Sequence, residues 1–203
     1  MTLHSMATCY PESPTQSEKE LMYSWLDMFR DTITCPHCRE HFGRMLQTYR
    51  NTFPNMLGSR QELAVFTFRA HNAVNRRLRK PIQATIEECM TTLQNNVKTR
   101  SAANYRVSYL DHIQKYWRTM QDVTGIVALK KINEMRKIEI SYIQARDSNF
   151  NVTLASDVVV LPQDAMESRN GTSEPRNPAI VLPRGQEGVR AGFRITSGGI
   201  RLR

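Results

Sequence analysis

The chain has 203 residues, 40% of them apolar, with a formal net charge of +9 and a pI near 9.7. That is enough for one compact domain plus an extension, while no apolar run approaches the twenty residues of a membrane span and the N-terminus "MTLHSMATCYPESPTQSEKE" lacks the basic stretch and apolar core of a secretory signal. Four cysteines are too few for a disulfide-stapled scaffold, and the basic balance suits either a polyanionic partner or simply a solvated surface.

In chain order, Met1 to Cys9 predicts a short helix, broken by "YPESPTQ" with its two prolines. Ser17, with Glu20 three residues on, is the expected N-cap of a second helix. Leu21, Trp25, Met28, Phe29 and Ile33 carry its helical spacing. "TITCPHCREHFGR" then starts a third helix, with Thr34 as cap, Pro36 tolerated in the first turn, and Phe42, Met45, Leu46 and Tyr49 on one face. After the loop "NTFPNMLGS", a long helix runs from Ser59 through Leu63, Phe66, Ala70, Val74 and Leu78, ending before Pro81. Another is expected over Ile82 to Val97. From "NYRVSYLDHIQKYW" to "EISYIQ" the apolar residues again recur at three and four, predicting one or two long helices with a break near Gly125. Beyond Asp147 comes a short β-prone run, "NVTLASDVVVLP". After it the composition is rich in Gly, Pro, Ser and Arg, too poor in apolar surface to offset ordering entropy, so a mostly disordered tail is expected.

The pair Cys35–Cys38 allows three readings. A zinc site would draw on His37, His41 or Cys89, but a second paired element is missing from the sequence. A thioredoxin-type dithiol would follow a buried strand inside a βαβ pattern, and the residues ahead of Cys35 have helical period instead. The third is a dithiol at a helix start within an all-α bundle. There the unpaired N–H groups and partial positive charge stabilise a thiolate and favour disulfide exchange. A dithiol alone cannot pass electrons to oxygen, so this reading requires a cofactor.

"HNAVNRRLRKP", His71 to Pro81, suggests what that cofactor is. On one helix His71, Asn75 and Leu78 share a face with Asn72 beside them, followed by Arg76, Arg77, Arg79 and Lys80. Hydrogen-bonding heads next to a basic cluster suit a purine and a diphosphate, although polar helix faces are commonly just solvated.

"LHSMATCYP", "CPHCREHF" and "HNAVNRRLRKP", in this order over roughly residues 1 to 90, resemble the Erv/ALR family of FAD-linked sulfhydryl oxidases. The resemblance implies a small helical bundle cradling FAD, usually paired into a homodimer. In it Cys38 would be the flavin-facing sulfur and Cys35 the exchange sulfur attacked by substrate. His4, Tyr10, His41 and Phe42 would lie at the flavin, with His71, Asn72, Asn75, Leu78 and Lys80 around the adenosine half. Three departures stand out. The first helix is short, lacking the Trp that relatives carry before Leu-His. No cysteine pair flanks the His-Asn motif, so Cys89 is expected to be a buried, inert thiol. No shuttle cysteines follow Cys89, so substrate must reach Cys35 directly or through a separate relay.

The expectation is therefore an all-α chain. A four- or five-helix FAD-binding bundle with a shortened first helix covers 1–98, a helical extension covers 99–146, and the β-prone segment and basic tail cover 147–203. Its activity would be that of an FAD-dependent thiol oxidase forming disulfides in protein substrates. Electrons would pass from a dithiol to Cys35–Cys38, to FAD and to O2, giving H2O2, with no metal. The alternative is a structural or virion-associated bundle with reduced or no turnover. Expected partners are a protein dithiol or small dithiol relay protein, O2, a second copy of the chain, and an acidic or nucleic-acid partner for the tail. The expected location is the cytoplasm (a virus factory or virion for a viral enzyme), or alternatively the mitochondrial intermembrane space.

Overall fold

In the computed structural model, residues 1–146 are described; the β-prone segment and basic tail expected over 147–203 lie outside the described residues. Seven α-helices follow one another: α1 (Thr2–Cys9), α2 (Gln16–Thr32), α3 (Pro36–Thr52), α4 (Arg60–Arg77), α5 (Ile86–Thr99), α6 (Ala102–Trp117) and α7 (Val123–Ile138), the last running into a π-helical turn at Glu139–Ile143. Among the described residues there is no strand, so the all-α class expected from the sequence is the class found. No helix among them is long and apolar enough to cross a membrane.

The shortest helix sits deepest. Eight residues are too few for a stable helix in water, so α1 depends on its surroundings. It is buried from His4 through Cys9 and packs against α4 on one side and α6 on the other. Its exit is fixed by Tyr10, whose hydroxyl donates to Leu57 O at 3.1 Å, while Arg60 Nε donates to Tyr10 O at 2.6 Å. These bonds tie α1 to the loop ahead of α4 and to the start of that helix. Met56 and Leu57 of the same loop are fully buried.

Three local expectations are corrected. The cap of α2 is Thr15, not Ser17. Glu18 N donates to Thr15 Oγ1 at 3.3 Å, and Thr15 N donates back to Glu18 Oε2 at 2.9 Å. Both Thr15/Glu18 and Ser17/Glu20 fit the capping-box spacing. Glu18 prevails because its other oxygen also receives Tyr142 Oη at 2.8 Å and Arg146 Nη2 at 2.6 Å. The cap of α3 is Cys35, not Thr34, which places Pro36 at the first helical position, where its missing N–H costs nothing. The break between α6 and α7 lies at 118–122, capped by Asp122, whose carboxylate accepts Gly125 N–H at 2.8 Å. Gly125 is inside α7, and a Cβ there would stand 2.2 Å from Met120 O, so the tight turn needs glycine.

Helices α6 and α7 pack against each other, α6 also against α1, and α7 against α2. Phe29 of α2 stacks on Trp25 at 5.3 Å and on Tyr109 of α6 at 5.2 Å between centroids, and meets Phe42 of α3 edge-on at 5.4 Å. Deeper in, Arg106 Nε donates to both carboxylate oxygens of Glu139, at 3.0 and 2.8 Å, with both side chains buried. Arg106 Nη1 also reaches Cys9 Sγ at 3.6 Å. One N–H shared by both oxygens, with a second guanidinium nitrogen on Cys9, gives the buried charges the partners that offset part of their desolvation cost. Cys89, as expected, is buried, and burial pushes its thiol up to about 11.

Candidate functional site

The site has two ends, each built at a helix terminus. At the first, the turn Ile33–Cys35 feeds α3. Cys35 is exposed and Cys38, one turn in, is half-buried. Cys38 N–H donates to Cys35 Sγ at 3.4 Å, so the cap of α3 is a sulfur. A thiolate accepts from a helix-terminal N–H better than a thiol does, and the helix dipole adds to the preference. Hydrogen bonds from the Cys38 thiol and backbone N–H hold the Cys35 thiol below its ordinary value, with Arg77 helping. That same thiol–thiol bond, with burial, pushes Cys38 up, against the pull of Arg77. Of the two, Cys35 is the thiol that faces solvent and the one held below its ordinary value.

The turn ahead of Cys35 is braced from α6. Trp117 Nε1 donates to Thr32 O at 2.9 Å, and Thr32 Oγ1 donates to Met28 O at 2.8 Å. Arg39 donates to Ile33 O at 3.3 Å and lies over the Trp117 ring at 5.7 Å. On the α7 side, Lys131 pairs with Asp31 at 2.5 Å.

The second end is the close of α4. Arg79 N–H donates to Arg76 O at 3.0 Å and Lys80 N–H to Asn75 O at 2.8 Å, with Arg79 at φ 54. This is a Schellman stop with an arginine in the left-handed position that usually holds glycine, and Pro81 follows to prevent the helix from resuming. Asn72 and Asn75 fold the next residues back. Asn72 Nδ2 donates to Gln83 O at 2.9 Å while its Oδ1 accepts Gln83 N–H at 3.0 Å, and Asn75 Nδ2 donates to Pro81 O at 3.1 Å. Buried Asn72 thus replaces a strand partner for Gln83.

Behind the second end, a histidine chain joins α1 to α4. Thr67 Oγ1 donates to Ala64 O at 2.8 Å, so toward His4 it is an acceptor, and His4 Nδ1 donates to it across 3.0 Å. His4 Nε2 is then an acceptor, and His71 Nδ1 donates to it across 3.2 Å, which leaves His71 Nε2 as an acceptor. Burial drives His4 down to about 3 and lowers His71, so both rings are neutral at ordinary pH.

Of the other residues singled out in the sequence, Tyr10 is buried and tied to Leu57, Phe42 is buried against Phe29, and His41 is half-buried on α3. Leu78 and Lys80 are exposed at the end of α4. The two ends meet at Arg77, whose Nη2 lies 3.7 Å from Cys38 Sγ. Sequence reading set Arg77 within a basic cluster without seeing this contact, and it did not single out Thr67, Gln83 or Trp117 as site residues. Gln83 Oε1 is buried and without a hydrogen-bond partner among the described residues. A signal for Trp117 was present, as the apolar spacing of α6; nothing in the sequence marks Thr67 or Gln83. Among the described residues no group of three or more His, Cys, Asp or Glu could hold a metal ion.

The profile of the Erv1 / Alr family matches residues 1–118, through the end of α6. The chain is 38% identical over 79 residues to the Mitochondrial FAD-linked sulfhydryl oxidase ERV1 of Saccharomyces cerevisiae, covering 39% of this chain and 40% of that protein. To the "Probable FAD-linked sulfhydryl oxidase R368" of Acanthamoeba polyphaga mimivirus it is 28% identical over 131 residues, 64% of this chain and 90% of the other. The FAD-linked sulfhydryl oxidase of African swine fever virus is 32% identical over 81 residues, 40% of this chain and 65% of that one. The chain therefore spans about two fifths of the yeast relative's length and nearly all of the mimivirus one. No solved structure matches this chain.

Proposed function

The chain belongs to the Erv1 / Alr family, and from there we propose that it is a flavin-linked thiol oxidase that forms disulfides in protein substrates. One observation carries the reading beyond membership. The exposed dithiol at the head of α3 touches the end of the His-Asn helix through Arg77 and Cys38, 3.7 Å apart. A dithiol can hold two electrons and no more, so repeated turnover needs an acceptor beside it.

The residues present suit FAD. His71 Nε2 and the partnerless Gln83 Oε1 are acceptors, and the amino group of an adenine is a donor. Arg76, Arg79 and Lys80 bring positive charge to the turn, as a diphosphate requires. We assign to the cofactor His4, Tyr10, Cys38, His41, Phe42, His71, Asn72, Asn75, Leu78 and Lys80, as the family resemblance implies, and add Gln83. When bound, FAD takes the two electrons from the dithiol and passes them to O2, giving H2O2.

The chain's own residues do the sulfur chemistry. A substrate thiolate attacks Cys35 Sγ of the oxidised pair, because Cys35 is the sulfur open to solvent. The Cys35–Cys38 bond breaks and the electron pair leaves on Cys38. A second substrate thiolate attacks the substrate sulfur of the mixed disulfide, releasing Cys35 as a thiolate onto the α3 N-terminus. Substrate leaves with its new disulfide, and the pair is left reduced beside the cofactor. We place the oxidase unit in residues 1–98, with α6 and α7 as its brace. A protein dithiol or a small dithiol relay is the electron donor, and a second copy of the chain is the expected partner. The cytoplasm, or a virus factory or virion if the source is viral, is the setting.

The purified full-length protein should show a flavin absorption spectrum and consume O2 when given a model dithiol. Cys38→Ser should keep the flavin and lose uptake by about a thousandfold or more. A colourless folded protein, or full activity in that variant, would refute the proposal.

A further inference from the structure

The oxidase reading needs two different sulfur anions in turn, and the structure treats the two sulfurs differently. Cys35 caps α3, so a thiolate there meets Cys38 N–H and the helix terminus. Cys38 lies inside the first turn, where its own N–H is committed to Cys35. A Cys38 anion therefore needs a donor from another helix. Arg77 supplies it: Nη2 lies 3.7 Å from Cys38 Sγ, and none of the ion pairs among the described residues involves Arg77. Its position is set by the stop of α4. The Schellman closure at Arg76–Lys80 and the Asn75–Pro81 bond end the helix at Arg77, beside the head of α3.

We propose that Arg77 is the leaving-group partner of Cys38, the cation that holds the Cys38 thiolate after substrate has opened the disulfide. The inference rests on the oxidase reading for its place in the cycle. In that step the substrate sulfur bonds to Cys35 Sγ, the Cys35–Cys38 bond breaks, and both its electrons go to Cys38 Sγ, with no proton transferred. While both thiols are present, the bond between them favours an anion on Cys35 over one on Cys38. Once Cys35 is tied up in a mixed disulfide that preference is gone. The groups acting on Cys38 are then burial, which disfavours the anion, and Arg77, which favours it. The two sulfurs thus have separate anion holders, a helix terminus for Cys35 and a guanidinium for Cys38.

The test isolates Cys38 in a Cys35→Ser background of the full chain, which mimics a pair whose exchange sulfur is occupied. Iodoacetamide alkylation of Cys38 is followed by peptide mass spectrometry across pH, which separates it from buried Cys9 and Cys89. Adding Arg77→Gln should slow alkylation at pH 7 by about fivefold, the scale of a half-exposed charge contact, and move the pH profile upward. Arg77→Lys should restore most of the rate, and high salt should slow the arginine protein but not the glutamine one. Equal rates and profiles with arginine and glutamine would overturn the inference. Arg77 is exposed, and matching circular dichroism melts would show that the fold is unchanged. The readout needs neither flavin nor turnover. A protein without oxidase activity would sink the proposed function and leave the alkylation result standing, and the reverse also holds.

Discussion

The sulfur end and the His-Asn end of this site are both helix termini, yet they are constructed on opposite principles. The sulfur end keeps its key atom in solvent and its hydrogen bonds few: the Cys38 N–H and thiol on Cys35, and one guanidinium on Cys38. At the His-Asn end Thr67, His4 and Asn72 are buried and nearly all the polar groups are paired, through Thr67–His4–His71 and through both ends of the Asn72 amide. A sulfur that must exchange partners needs access and a tunable charge. A pocket wall needs a single arrangement, and a saturated buried network provides it. The lesson is that conserving geometry and permitting chemistry call for different densities of hydrogen bonds a few turns apart.

The contrast can be tested by loosening each end in turn. The largest effect is expected at Asn72. Asn72→Ala removes two bonds and strands Gln83 N–H and C=O, costing about 2–3 kcal/mol in chemical denaturation. A cost under about 1 kcal/mol would show that water replaces the side chain and that this end is not saturated.

Acid should act next, and selectively on the buried network. His4 is held down to about 3 by burial, whereas an unfolded histidine titrates near 6.5, so the unfolded chain binds more protons below that pH. Stability contributed by neutral His4 is full above about pH 6.5 and is lost as pH falls toward 3. Between pH 7.5 and 5 that loss is about 2 kcal/mol, and His71, also lowered, adds to it. Denaturation midpoints across this range check the sign, and His4→Asn should flatten the slope. Stability that rose on acidification would invert the argument.

A smaller change is expected where α6 reaches the sulfur end. Trp117→Phe leaves Thr32 O without its indole donor and should cost about 1–2 kcal/mol. Amide exchange at Ile33 to Cys35 should quicken while exchange at Asn72 and Gln83 is unaltered. The smallest effect has the opposite sign. Arg79→Gly relieves a left-handed arginine and should stabilise by about 0.5–1 kcal/mol, read as a raised Tm. A lowered Tm would mean that the arginine side chain contributes more than its backbone strain costs.

Much of this was legible in advance because the signals were local. Helical period gave α2, α3 and α4, Pro36 announced the start of α3, and the run Arg79–Lys80–Pro81 announced the end of α4. The four motif residues Cys35, Cys38, His71 and Asn75 could be picked out because their spacing repeats within one or two turns. Legibility failed where two local solutions were equally good. Thr15/Glu18 and Ser17/Glu20 have the same spacing, and Tyr142 and Arg146, more than a hundred residues away, decided between them. It failed also for the amides of the motif. Read as a polar face, Asn72 and Asn75 point to a ligand, and nothing in that pattern announces that their side chains also bind the backbone of Gln83 and Pro81.

By itself, then, the sequence determined the helices, the all-α class, the dithiol at a helix head and the motif helix, since each follows from contacts within about four residues. The tertiary structure alone decided that α6 braces the dithiol turn through Trp117, that His4 bridges Thr67 and His71, and that Arg77 lies on Cys38. Those contacts join residues 85, 63 to 67 and 39 positions apart, and no periodicity along the chain encodes which side chains will meet across such separations.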